Sequence, residues 1–224
     1  PSYCDSCYRR LSPLEMIPVF SYIILRGSCR RCGAKIPLRV MLVELFCGLL
    51  LAYLFWDKGL TSEFAFSAFY CYIFVAIALI DLKHQLILNV IVYPSVIAGL
   101  IIAPFFLESL SGALIMNFLN GLAAAGIGAL ILFIPFLATF GRGMGFGDVK
   151  MAVLIGLSTG FPNVLLAILG GIILGGLMAV ILLAARVKKR KDVIPFGPFL
   201  ALASIVTVIW GNSIMTWYIG IFAL

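Results

Sequence analysis

Cys4 and Cys7 form one CxxC and Cys29 and Cys32 a second, with residues 8–28 between them. Each CxxC offers two thiolates from one tight turn. Two such turns close a tetrahedral four-sulfur shell with no open position, so the spacing predicts a structural zinc site. A pair of disulfides is the competing reading and needs an oxidising compartment. Arg9, Arg10, Arg26, Arg30, Arg31 and Lys35 surround the cysteines and argue for the reducing, cytoplasmic side. A segment this small builds no core of its own, so a metal would supply much of its folding energy. Cys47 and Cys71 lie inside apolar runs and read as small buried hydrophobes.

The second constellation is acidic. Glu44, Asp81, His84, Asp148 and Lys150 are among the few ionisable residues in or bordering apolar runs. A carboxylate at membrane depth is expensive to keep, which makes each a functional candidate. Asp81 ends one run and Asp148 precedes another. Two carboxylates held close do not both ionise, so one retains a proton and acts as acid while the other activates water as base. Alone, Asp148 reads equally as a helix N-cap and Asp81 as an interfacial residue. Gly143, Gly145 and Gly147 alternate ahead of Asp148 in GMGFGD, and backbone without β-carbons lets a substrate strand lie beside the carboxylate. Lys150, two residues past Asp148, either biases that carboxyl or snorkels to the headgroups, and snorkelling is favoured. His84 reads as an interfacial residue. Glu44 reads as a contact to substrate or as an interhelical hydrogen bond.

The elements that must position these residues are membrane helices. Of 224 residues, 63% are hydrophobic and 11% charged, against about a quarter charged in soluble domains. This excludes a large aqueous core. Net charge is +7, and all of the 16 Lys and Arg residues except Lys58 fall in residues 9–39, at Lys83, in 142–150 or in 186–191. Threading helices between these segments places every one on the same side, as cytoplasmic loops should be, so the basicity reports topology. No aromatic and basic residues interleave along a groove-like stretch, and nucleic acid is not expected as a partner. The polar, Cys-bearing start does not resemble a cleavable signal peptide.

The apolar runs 36–56, 64–80, 86–107 and 117–140 are four spans, with a loop holding Glu108 and Ser111 between the last two. Residues 149–185 must cross twice, because basic residues flank both ends. The break falls at Ser158, Thr159, Gly160, Phe161, Pro162 and Asn163. The first arm is short for the hydrocarbon thickness. Residues 198–222 complete seven spans and put the C-terminus outside. Gly171 and Gly175, and Gly121, Ala125, Gly126 and Gly128, read as close packing within one bundle. The expected class is an all-α polytopic membrane protein of about seven transmembrane helices. A cytoplasmic four-cysteine zinc module in residues 1–35 precedes a membrane domain in residues 36–224.

Asp81 within ALIDLKHQLILN, Asp148 within GMGFGDVK, and the paired CxxC module running into LRGSCRRCGAKIPLRVMLVEL together resemble the bacterial type IV prepilin peptidases. The resemblance covers nearly the whole chain. It implies a GxGD-type membrane aspartyl protease that removes the basic leader of type IV prepilins and pseudopilins at the cytoplasmic face of the inner membrane. It also implies methylation of the new N-terminus with S-adenosylmethionine. By it, Asp81 and Asp148 are the catalytic pair and Cys4, Cys7, Cys29 and Cys32 are the metal ligands, while Gly145 and Gly147, read from their missing β-carbons, are expected to position substrate. Lys150 and Glu44 are auxiliary candidates, Glu44 as a contact to the prepilin or to the methyl-transfer site. Two departures stand out. The family usually has a span ahead of the Cys module, which would make eight, and Leu88 stands where the loop after Asp81 usually has proline. No glycine-rich turn follows a strand, so no soluble methyl-donor fold is expected. A membrane transporter using Asp81 and Asp148 as an ion site is the alternative, and a zinc-bearing scaffold without catalysis a third reading.

Overall fold

The computed structural model describes residues 2–107, 114–141, 144–187 and 194–222. Glu108, Ser111, Arg142, Gly143 and the basic run 188–193 lie outside them. The described residues form eight α-helices: α1 Phe20–Ile24, α2 Leu38–Lys58, α3 Ser62–His84, α4 Asn89–Phe106, α5 Leu114–Ala138, α6 Phe146–Thr159, α7 Asn163–Ala184 and α8 Gly197–Phe222. Six of them, α2 to α5, α7 and α8, are long and apolar enough to cross a membrane. The seventh span of the sequence reading is the shorter α6. The chain divides into two compact units, Pro1–Phe64 and Ala65–Leu224.

In the first unit the two CxxC turns repeat one backbone pattern. The Tyr8 N–H donates to the Cys4 carbonyl and the Cys4 N–H to the Arg9 carbonyl, at 2.9 and 3.0 Å. At the second turn Gly33 donates to Cys29 and Cys29 to Ala34, both at 2.9 Å. The residue after the second cysteine is left-handed in each, Tyr8 at φ 54° and Gly33 at φ 70°. That reversal turns both sulfurs of a knuckle to the same side of the chain. Isolated bridges Tyr3 to Arg10 and Ser28 to Lys35 close the two loops. Between them lie a 3-10 turn, Pro13–Met16, and α1.

In the second unit α6 is the central element, packed by α4, α5, α7 and α8. Met151, Ala152, Leu154 and Ile155 have no exposed surface. Gly156 lies against the backbone of Ala124 and Ala125 of α5, an approach that a side chain would block. Its 14 residues reach about 21 Å, less than the roughly 30 Å hydrocarbon thickness. Protein on four sides, rather than lipid, surrounds this short helix and accommodates its length. The break before α7 falls where the sequence places it, at Gly160, Phe161 and Pro162. Asn120 of α5 fastens that turn, accepting from the Phe161 N–H at 2.6 Å and donating to its carbonyl at 3.2 Å.

Small residues on α7 seat α8. A β-carbon on Gly171 would lie 2.8 Å from Leu200 Cδ1, and one on Gly175 would lie 3.1 Å from the Phe196 ring. The GxxxG spacing therefore serves packing within one bundle, as the sequence suggests.

Candidate active site

Asp81 sits in the last turn of α3, which ends when Gln85 turns left-handed at φ 53° and donates its N–H to the Asp81 carbonyl at 2.8 Å. Asp148 is the third residue of α6. The helix is capped by Gly145 in extended conformation, so Asp148 is not the N-cap residue that its place after Gly147 suggests. Its Oδ2 reaches back to accept the Gly145 N–H at 3.2 Å, the acidic half of a capping box. Asp81 Oδ2 accepts the N–H of Gly197, the first residue of α8, at 3.0 Å. The two aspartates are 5% and 7% exposed, and their carboxyls lie within electrostatic reach of one another. Residues 67 positions apart in sequence are thus placed at the same end of the unit, where α3 ends and α4, α6 and α8 begin.

The loop between Asp81 and α4 docks on the glycine turn. Gly147 faces Ile87, where a β-carbon would come within 3.0 Å of Ile87 Cβ. Gly145 is exposed, and a β-carbon there would meet nothing closer than Asp148 Oδ2 at 3.7 Å. The two glycines therefore differ. Gly145 leaves open backbone beside the carboxyl, while Gly147 admits the Ile87 side chain. Leu88 caps α4 at φ −73° and ψ 123°, with φ in the range that proline would impose.

Lys150 donates to Asn89 Oδ1 at 2.8 Å, and its ammonium lies 5.3 Å from the Tyr93 ring centre and 5.1 Å from that of Phe146. His84 is exposed at the end of α3. In the first unit Glu44 of α2 accepts the Val19 N–H at 3.0 Å. Val19 leads into α1 at φ 63°, a costly conformation for a β-branched residue, so Glu44 holds a strained entry rather than pairing with another membrane helix. Sequence reasoning missed Gly197, Asn89 and Ile87. A proline-bracketed glycine opening an apolar run, PFGP, was the available signal for the first.

The four cysteine sulfurs lie within 4.8 Å of one another, with Cys4 Sγ 3.8 Å from Cys32 Sγ. Metal–sulfur bonds of about 2.3 Å in a tetrahedron put sulfurs about 3.8 Å apart, so the cluster fits a metal ion. Backbone N–H groups of Cys32 and Arg31 hold the Cys29 thiol down to about 6, whereas Cys32, despite the Ala34 N–H, is pushed up to about 11 by desolvation and its three neighbouring sulfurs, and a metal bound there would take all four as thiolates.

Fold and site together define a multi-pass helical membrane protein with two buried aspartates brought together at one end of a bundle, preceded by a four-cysteine module. The Bacterial Peptidase A24 N-terminal domain matches residues 1–58, and the Type IV leader peptidase family matches residues 68–180. The chain belongs to the type IV leader peptidase family. Among its relatives is a protein of Pseudomonas aeruginosa named prepilin leader peptidase/N-methyltransferase. It is 35% identical over 97% of this chain and 74% of its own length. Proteins of the same name from Stutzerimonas stutzeri and Bacillus subtilis are 33% and 30% identical over 97% of this chain, and 74% and 85% of their own. No solved structure gives a significant match. Nothing in these likenesses favours the transporter reading.

Proposed function

We propose that the chain cleaves the basic leader from type IV prepilins or pseudopilins at the cytoplasmic face of the bacterial inner membrane, with Asp81 and Asp148 as the catalytic pair. The observation that carries the reading is that two buried carboxyls on different helices lie within electrostatic reach of one another, each held at Oδ2 by a glycine N–H. Among the described residues no protein donor is assigned to either Oδ1, which leaves one oxygen of each free to exchange a proton. The ionised carboxyl takes a proton from water as its oxygen attacks the scissile carbonyl carbon. The protonated carboxyl supplies the proton that the departing amine needs as the C–N bond breaks, leaving a free acid on the leader and a new N-terminal amine. The exposed Gly145 backbone offers the adjacent substrate strand a place to lie, with Gly147 holding the loop after Asp81 against the same turn. A substrate whose basic leader precedes an apolar helix reaches helix ends at the membrane surface sideways from the bilayer, where water is also at hand.

The relatives' name includes N-methyltransferase, and we extend it to methylation of the new amine with S-adenosylmethionine as donor. Zinc is the metal that best suits Cys4, Cys7, Cys29 and Cys32. Bound there, it closes both knuckles into one fold and takes no part in hydrolysis. The basic residues of the module support its cytoplasmic placement.

The test is purified protein incubated with a prepilin and S-adenosylmethionine, followed by mass spectrometry. Unaltered protein should yield mature pilin heavier by about 14 Da, the mass of one methylene added. Asp81→Asn and Asp148→Asn should abolish cleavage without unfolding, and normal cleavage by both would end this reading.

A further inference from the structure

The first turn of α8 has one backbone donor to spare. Pro198 has no N–H, and those of Phe199 and Leu200 go to the Phe196 carbonyl at 3.1 and 3.2 Å. That leaves the Gly197 N–H, which goes to Asp81 Oδ2 across 116 positions of sequence. Gly197 and Asp81 are both buried. The contact is also sterically closed, because a β-carbon on Gly197 would lie 2.6 Å from that oxygen and 3.0 Å from the carboxyl carbon. The turn has little room to retreat. Phe196 and Leu200, on either side of Gly197, are seated on Gly175 and Gly171 of α7. A helix N-terminus is also where a negative charge is stabilised, through its free N–H groups and the aligned peptide dipoles.

We infer that Gly197 is a positioning residue for the hydrolysis, its N–H fixing Oδ2 of Asp81 so that Oδ1 alone faces the reaction. The start of α8 is then the third part of the site, beside the end of α3 and the start of α6. It does for Asp81 what Gly145 does for Asp148. The difference is that Gly145 lies three residues from its aspartate, while Gly197 lies on another helix. The geometry of Asp81 therefore depends on how α8 is seated on α7. This inference rests on the reading of Asp81 and Asp148 as the catalytic pair.

Two variants of the full chain test it, assayed beside Asp81→Asn and Asp148→Asn. Replacing Gly197 by glycolic acid, through nonsense suppression, turns its amide into an ester and deletes the N–H without adding an atom. Gly197→Ala keeps the N–H and pushes a methyl into the carboxyl. The ester should lower kcat about 10- to 100-fold, the usual effect of losing a hydrogen bond to a charged group. Its KM should stay within about twofold, because no substrate contact is removed. Gly197→Ala should lower kcat at least as far, with Gly176→Ala, which meets nothing within 4 Å, as the unaffected control. If Gly197→Ala fails to fold, the ester alone decides. An ester variant that keeps its kcat, or loses only in KM, overturns the inference while inactive aspartate variants leave the catalytic reading intact. Aspartate variants that still cleave would remove that reading itself.

Discussion

Lys150 Nζ donates to Asn89 Oδ1 at 2.8 Å, tying the first turn of α6 to the first residue of α4. The lysine is two residues past Asp148, and the asparagine ends the loop that follows Asp81. With the contact of Gly147 on Ile87, this bond makes a second fastening between the two segments that carry the aspartates. A lysine that merely snorkels contributes little to stability, whereas this one has an amide partner and two aromatic rings. Lys150→Met is expected to lower stability by about 1–2 kcal/mol. Thermal unfolding of Lys150→Met, Asn89→Ala and the double variant in detergent checks it, because partners give a double variant less damaged than the sum of the two. Additive effects would return Lys150 to the snorkelling role.

Much of this arrangement was legible in the sequence. Spans were visible because apolar runs of the right length alternate with basic segments, and the observed helix ends fall within a few residues of those runs. The short arm before Gly160 was visible too, but its enclosure by four helices was not, since that depends on Gly156 meeting the backbone of α5. The aspartates announced themselves by their rarity in apolar surroundings. What holds them did not, because a backbone N–H is carried by almost every residue and leaves no mark in the letters. The flanking prolines mark Gly197 as a helix start, but the partner of its N–H lies 116 positions away and is not written beside it. Likewise, a glutamate within a span says nothing of Val19, whose strained backbone Glu44 holds.

The cysteine cluster makes a separate expectation about metal content. Purified protein should carry about one zinc per chain, the stoichiometry of a four-sulfur site. Cys4→Ser or Cys29→Ser should lose it and render residues 1–35 sensitive to protease, because a metal that closes two loops supplies their folding energy. Asp81→Asn should keep its zinc. Elemental analysis of the three variants gives the result, and full metal content in both cysteine variants would remove the four-sulfur site.

Glu15 gives the same module a pH dependence. Hydrogen bonding to Ser12 holds its carboxyl below the ordinary value, with the Ser12 N–H at 2.8 Å and Arg9 within 3.4 Å adding to the effect. A carboxyl depressed in the folded state stabilises that state at pH values above its unfolded pKa, about 4.3, and the contribution disappears as pH falls through the lower folded value. Glu15→Gln should therefore speed hydrogen exchange around Ser12 at neutral pH. The difference from the unaltered chain should close in acid. An exchange difference that stays constant across that range would show that the carboxyl's charge is not what matters there.

Two glycines in adjacent helices should respond oppositely to the same methyl group. A β-carbon on Gly156 runs into the backbone of Ala124 and Ala125, which has no rotamer to yield, whereas one on Gly176 meets nothing within 4 Å. Gly156→Ala must part α5 from α6, an overpacking expected to cost about 1–3 kcal/mol or more. Because α6 carries Asp148 as its third residue, cleavage should fall with it. Gly176→Ala removes a flexible residue from a helix interior and should leave stability unchanged or raise it by about 0.5–1 kcal/mol. Melting temperatures of the two purified variants compare them directly, and equal tolerance at both positions would contradict the close approach of α6 to α5 on which the site's framework depends.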